Sequence, residues 1–131
     1  MDIPLLTTNI NIYDMKIYVD IDGTICTDNG ARPKTTKDYL EASPLLDRIA
    51  VINMLYDTGH EIYYWTARGA TSGVDWTEVT TQQLNEWGCR YHKLIMNHKP
   101  HFDLYICDKS WNADEWFTRN LYEQIALNEK N

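Results

Sequence analysis

Two aspartates one residue apart, Asp20 and Asp22, are followed by Gly23-Thr24 and sit at the end of a short β-rich run, Lys16 to Val19. With each residue type used at roughly 5–7%, Asp-x-Asp-Gly-Thr arises by chance about once in a thousand chains of this size. One reading is a loop in which both aspartates bond to backbone amides and Gly23 permits the turn. A second starts from charge. Two close carboxylates repel by about 4 kcal/mol at about 4 Å with an effective dielectric near 20, so something must hold them together. A hard divalent cation such as Mg²⁺, which takes a few carboxylate oxygens plus water and phosphate, is one answer. Alternatively, one carboxylate attacks phosphorus to give an aspartyl-phosphate. The other then serves as acid to the leaving group and base to the water that follows.

The chain around this element predicts an α/β fold. A helix is expected near Ser43, with Ser43 as N-cap, Pro44 at the first helical position, Leu45, Ile49, Ile52 and Tyr56 on one face, and Gly59 as its stop. Glu61 to Trp65 reads as a second strand, and about Asp75 to Trp87 as a second helix. That helix should turn Trp76, Val79, Leu84 and Trp87 inward, stop at Gly88 and start with an Asp75/Glu78 capping box. His92 to Met96 and Leu104 to Cys107 are expected third and fourth strands. Asn112 should cap a last helix, with Asp114 and Glu115 in its first turn and Phe117, Leu121 and Ile125 along one face. Residues 27–43, polar and broken by Gly30 and Pro33, read as a small flap. Strands alternating with helices imply a mainly parallel central sheet in a three-layer, Rossmann-like domain. In such sheets ligands bind beyond the carboxyl ends of the strands. Here three of those ends carry Asp20/Asp22, Thr66 and Asp108.

Composition narrows the classes. The chain has 131 residues, 44% of them apolar, and a formal charge of −7. That length suits one domain, residues 15–131, preceded by a tail at 1–14. The charge opposes broad binding to nucleic acid but not a small anion met by local positive charge. No stretch approaches the ~20 apolar residues of a membrane span, and the first residues do not read as a secretory signal. Cys26, Cys89 and Cys107 are too few and too irregular for a disulfide framework or zinc cluster, so they read as incidental or buried thiols of a cytoplasmic protein. His92, His98 and His101 cluster, but Pro100 opposes a shared helical face, so they read as exposed or substrate-edge residues.

Phosphoryl transfer also needs donors and positive charge around the phosphoryl oxygens. Thr66 offers a hydroxyl and nearby amides, and Lys99 a compact ammonium. This order resembles the haloacid dehalogenase (HAD) superfamily of phosphohydrolases. Asp20-Ile21-Asp22-Gly23-Thr24 looks like its first motif, Trp65-Thr66 its second, Lys99-Pro100 its third and Ile106-Cys107-Asp108 its fourth. The resemblance implies a HAD-like core with Asp20 as nucleophile and Asp22 as acid/base. It implies Thr66 and Lys99 on the phosphoryl group, and Mg²⁺ on the Asp20 carboxylate, the Asp22 carbonyl and the Asp108 carboxylate. More narrowly, DIDGTIC, YWTARG, SGVDWTEVT and ICDKS resemble a group of small capless bacterial phosphatases associated with capsule or surface-polysaccharide biosynthesis. The fourth motif departs from the usual pattern. Cys107 precedes Asp108, and the next acid is Asp114, six positions on.

The intervals between motifs leave no room for a cap domain, so an open site favours a large or extended substrate, or a lid supplied by the flap at 27–43 or by a second subunit of a homo-oligomer. The expected leaving-group wall is the stretch from Arg68 to Trp76, with Arg68 forking to a phosphate or carboxylate and Trp76 stacking on a sugar or base, and the expected substrate-binding residues are Gly23, Thr24, Ala67, Arg68, Gly69 and Trp76. The alternative is a glycine-rich helix-entry loop with Arg68 in a surface ion pair and Trp76 in the core. The expected function is a Mg²⁺-dependent phosphomonoester hydrolase acting on a small phosphorylated partner, first a sugar phosphate, with no membrane. A nucleotidase or nucleic-acid 3′-phosphatase with the same machinery is the nearest rival. A non-catalytic phosphate- or protein-binding module is the more distant one.

Overall fold

The computed structural model describes residues 14–100 and 102–120. The expected tail at 1–14 therefore lies, but for Asp14, outside the described residues, as do His101, Leu121 and Ile125.

Three strands form an open parallel sheet in the order β1-β2-β3: Lys16–Val19, Glu61–Trp65 and Lys93–Ile95. The register pairs Val19 with Tyr64 and Trp65 with Ile95, so all three strands deliver their carboxyl ends to one edge. Along β2, Ile62 and Tyr64 are fully buried, while Tyr63 and Trp65 stack beside Tyr18 on the other face, with ring centroids 5.2 and 5.7 Å apart. This is the period-two alternation of a strand.

Helix α2, Leu46–Asp57, packs Ile49, Ile52 and Leu55 into the core with Val19, Ile21, Ile25 and Ile62. It starts later than the sequence suggests. Pro44 bridges to Cys26, and the Leu45 amide donates to the Ile25 carbonyl at 2.8 Å, so Ser43-Pro44 close the flap instead of capping the helix. Helix α3, Thr77–Glu86, buries Leu84 and stops at Gly88 (φ +74°). Asp75 does not form a capping box with Glu78. Its carboxylate instead accepts from the Thr77 amide and hydroxyl at 3.0 and 2.6 Å. A fourth helix occupies residues 113–120, with the Asn112 side chain accepting from the Asp114 and Glu115 amides as expected. Within the flap, Thr35 and Asp38 form a capping box on the short helix α1, Thr36–Leu40.

The expected fourth strand is absent from the described residues. Leu104 to Cys107 are irregular, and Leu104, Tyr105 and Ile106 are largely exposed. A strand is fixed by its ladder partner more than by its own propensity, and among the described residues the sheet contains β1, β2 and β3 and no ladder at 104–107. No described helix is long and apolar enough to cross a membrane.

Candidate functional site

A cavity of about 250 Å³ opens at the carboxyl edge of the sheet, near the lower end of small-molecule pockets, about 300–1,000 Å³. Asp20 and Asp22 reach it from the end of β1, Thr66 to Gly69 from the end of β2, and Lys99 from beyond β3. The parallel register thus gathers residues up to 79 positions apart.

Asp20 accepts from Lys99 Nζ at 3.0 Å through Oδ1 and from Thr24 Oγ1 at 3.4 Å through Oδ2. The Lys99 ammonium lies 5.3 Å from the Trp65 ring centroid and 5.8 Å from that of Phe102, attractive contacts with the ring faces. Asp20 remains 40% exposed toward the cavity while Lys99 is 13% exposed. The turn after Asp20 is closed by Gly23, whose φ of +80° suits glycine, with its amide donating to the Cys26 carbonyl at 2.9 Å.

Arg68 lines the cavity, but it is not the surface ion pair of the alternative reading. It is buried and forks onto Asp22, Nε to Oδ2 at 3.0 Å and Nη2 to Oδ1 at 2.9 Å. Nη1 donates to Thr80 Oγ1 at 3.0 Å and Gln83 Oε1 at 2.7 Å, and the guanidinium lies 4.4 Å from the Tyr39 ring centroid. Gln83 in turn donates to the Tyr39 carbonyl. Asp22 is thereby tied through Arg68 to α3 and to the flap helix. Burial, and then the Asp22 charge, push the Cys26 thiol up to about 12, and its Sγ lies 3.6 Å from Asp22 Oδ1.

Thr66 is buried, and its hydroxyl accepts from the Arg68 amide at 3.1 Å. Trp76 is buried edge-on against Tyr39 at 5.0 Å and belongs to the core, as the alternative reading had it. Gly69 (φ +85°) lies so close to the Val74 carbonyl and the Trp76 ring that a Cβ there would clash. Ala67 and Gly69 line the cavity, whereas Gly23 and Thr24 act through the turn beneath it.

Asp108 is not brought to this cluster. It is exposed and does not line the cavity, and no group of three or more His, Cys, Asp or Glu suited to a metal forms among the described residues. Asp114 does not take its place, because its carboxylate accepts from Arg48 at 2.8 Å. The physical reason is the missing strand: without a ladder at 104–107, nothing fixes Asp108 at the sheet edge. Of the histidines, exposed His92 accepts from the Ile62 amide at 3.0 Å through Nδ1, and His98 is exposed. The sequence reading missed the buried partners of Arg68, whose signal was the polar Thr80 and Gln83 on the inward side of α3. It also missed Arg32 and Lys34, which line the cavity from the flap.

No protein-family model and no curated protein sequence matches the chain. Among solved structures, it is similar to a structural-genomics target from Vibrio cholerae, with 25% identity and a TM-score of 0.68 over 90% of this chain and 98% of that one. Chains of the Pnkp1/Rnl/Hen1 RNA repair complex share the fold, with 17% and 19% identity and TM-scores of 0.53. This chain spans about a third of their length. The architecture, a parallel α/β domain of Rossmann-like type, is therefore shared with proteins of distant sequence.

Proposed function

We propose that this chain is a phosphomonoester hydrolase of HAD type, with Asp20 as nucleophile and a small phosphorylated substrate, first a sugar phosphate. The observation that carries the reading is the 3.0 Å contact between Lys99 and Asp20 on the wall of a cavity that Thr66 also lines. An ammonium beside an accessible carboxylate orients the attacking oxygen and offsets the charge of an incoming phosphate.

In the proposed reaction an Asp20 oxygen attacks phosphorus and the ester P–O bond breaks. The leaving oxygen takes its electron pair and a proton from Asp22. Water, losing a proton to Asp22, then attacks the aspartyl-phosphate, releasing phosphate and restoring Asp20. A carboxylate offers about four lone-pair sites. The Arg68 fork and the Cys26 thiol occupy three on Asp22, leaving one on Oδ2 for the travelling proton. Arg68 acts here as a positioning residue. Lys99 and the amides after Thr66 are the donors for the phosphoryl oxygens.

Mg²⁺ is part of the HAD resemblance, and when bound it would neutralise phosphoryl charge. The described residues do not assemble its expected ligand set. Asp20 and the Asp22 main chain share one turn, while Asp108 stands apart, so no step is routed through the ion. A second reading, removal of a nucleic-acid end phosphate, draws on the likeness to chains of an RNA repair complex, which at 17–19% identity extends to the fold alone. The formal charge of −7 weighs against it.

The test is phosphate release from p-nitrophenyl phosphate, sugar phosphates and nucleotides, with and without Mg²⁺. Asp20→Asn should lower turnover by about 10³-fold or more while leaving circular dichroism unchanged. Normal turnover in that variant removes Asp20 as nucleophile, and the preferred ester separates the two readings.

A further inference from the structure

Four cations and three carboxylates line the cavity of a chain whose overall charge is −7. Three of the cations have a place in the reacting centre or within the flap. Lys99 holds Asp20, and Arg68 holds Asp22. Lys34, 8% exposed, donates to Asp28 Oδ1 at 2.6 Å, Asn29 Oδ1 at 3.2 Å and the Ala31 carbonyl at 3.1 Å. Those three bonds use every N–H of an ammonium.

Arg32 differs. Nη1 donates to the Ala31 carbonyl at 2.6 Å and Asp28 Oδ1 at 3.5 Å, and Nη2 to Asp28 Oδ2 at 3.1 Å. These contacts engage three of the five N–H bonds of a guanidinium, and the side chain is 57% exposed. Asp28 organises the cluster: burial raises its carboxyl, but bonds from Arg32, Lys34 and the Gly30 amide outweigh that and hold it well below the usual range. One carboxylate is shared by two cations, so the flap presents net positive charge to the cavity. An isolated surface ion pair needs no such backing. Here a nearly buried lysine secures the carboxylate that aims the arginine. Arg68 spends four of its five N–H bonds on Asp22, Thr80 and Gln83, and Lys99 serves Asp20 and the phosphoryl group, which leaves Arg32 as the cavity cation with two N–H bonds to spare and no part in the reacting centre.

We infer that Arg32 and the Asp28-centred flap form a second anion subsite. The substrate is then a phosphomonoester whose leaving group carries another acidic group, a second phosphate or a carboxylate. This rests on the proposed phosphatase reading and assigns its leaving-group side.

The test measures binding, so that it does not depend on turnover. Calorimetry in Mg²⁺ buffer on the Asp20→Asn protein compares glucose 1,6-bisphosphate with glucose 6-phosphate, and a nucleoside 3′,5′-bisphosphate with its 3′-phosphate. The bis-anion of at least one pair should bind about tenfold tighter or more, beyond the twofold statistical gain, because a charge-assisted fork is among the stronger polar contacts. Adding Arg32→Gln should shrink that preference to about twofold, and Arg32→Lys, which keeps the charge and loses the fork, should retain part of it. The preference should also shrink with added salt. Equal affinities within both pairs, or a preference unchanged by Arg32→Gln, overturn the subsite. Loss of p-nitrophenyl phosphate turnover as a property of the wild-type protein would instead overturn the phosphatase reading, so the two failures are distinguishable.

Discussion

The ends of β1 and β2 and the segment 102–110 carry similar sequence signals, and the structure treats them differently. Each pairs a short apolar run with an aspartate or threonine at its end. At the first two ends the run joins a parallel ladder, and the side chains beyond it are held by a buried network: Asp22 on Arg68, Arg68 on Thr80 and Gln83, Gln83 on the Tyr39 carbonyl. At 104–107 there is no ladder, the apolar side chains are exposed, and Asp108 meets none of the cavity residues. A chemical motif becomes a site when long-range pairing fixes where its strand ends; the local sequence alone does not do that.

The largest effect expected from this contrast is at Arg68. Arg68→Lys keeps a positive charge but cannot fork to both Asp22 oxygens. Stability should fall by about 3 kcal/mol, in the range for breaking a buried pair, read as a lower thermal midpoint. On the proposed reaction, in which Asp22 protonates the leaving oxygen, alkyl phosphates should lose about 10²-fold in kcat, while p-nitrophenyl phosphate, whose leaving group needs little help, should lose under tenfold. A uniform loss across both esters would return Arg68 to a purely structural role. A loss that follows leaving-group charge would restore it to the substrate wall.

The next test bears on Asp108. The arrangement described here expects Asp108→Asn to change the Mg²⁺ concentration for half-maximal turnover by less than about twofold, since Asp108 lies away from Asp20. The sequence resemblance expects a tenfold weakening or more, the range for loss of a group that supports a metal. Asp114→Asn is the control, because its carboxylate is held by Arg48. A tenfold shift confined to Asp108→Asn would show that 104–108 joins the sheet edge in solution, and would erase the difference between the two regions.

Much of the site was legible because it lies where local and long-range signals agree. The first two strands have the expected bounds, Lys16–Val19 and Glu61–Trp65, since each is a compact apolar run ended by a turn former. Asp20 and Lys99 met as the motif order implied. Arg68 was ambiguous because a fork can serve a carboxylate of the protein as well as one of a ligand; only the depth of the side chain shows its bond to Asp22. Trp76 was ambiguous for the matching reason, as an aromatic beside a glycine loop suits a sugar or a core equally. Ser43-Pro44 carried a correct helix-start signal that a β-bridge to Cys26 outcompeted. The role of Asp28 depends on three partners within six residues, none of which forms a recognisable spacing.

The smallest effect is a single adduct, and it measures the same contrast without any catalytic assay. Cys26 sits beneath the site turn and Cys107 in the outlying segment. Burial first, then the Asp22 charge, push the Cys26 thiol up to about 12, and burial pushes Cys89 up to about 11. Raised values mean that the folded state retains the proton. The stability this contributes is complete below the ordinary thiol value near 9 and fades as pH rises toward 11 and 12. Cys107 moves the other way: a hydrogen bond from Tyr105, then one from the Lys109 amide, hold it below its ordinary value. Since the thiolate is the nucleophile, iodoacetamide at pH 8 should add once to the native protein, at Cys107, and three times after unfolding, read by intact mass and peptide mapping. Fast modification of Cys107 alone agrees with an exposed 104–108 segment. Protection of all three thiols would mean that this segment is packed, and the low metal sensitivity expected of Asp108→Asn would fall with it.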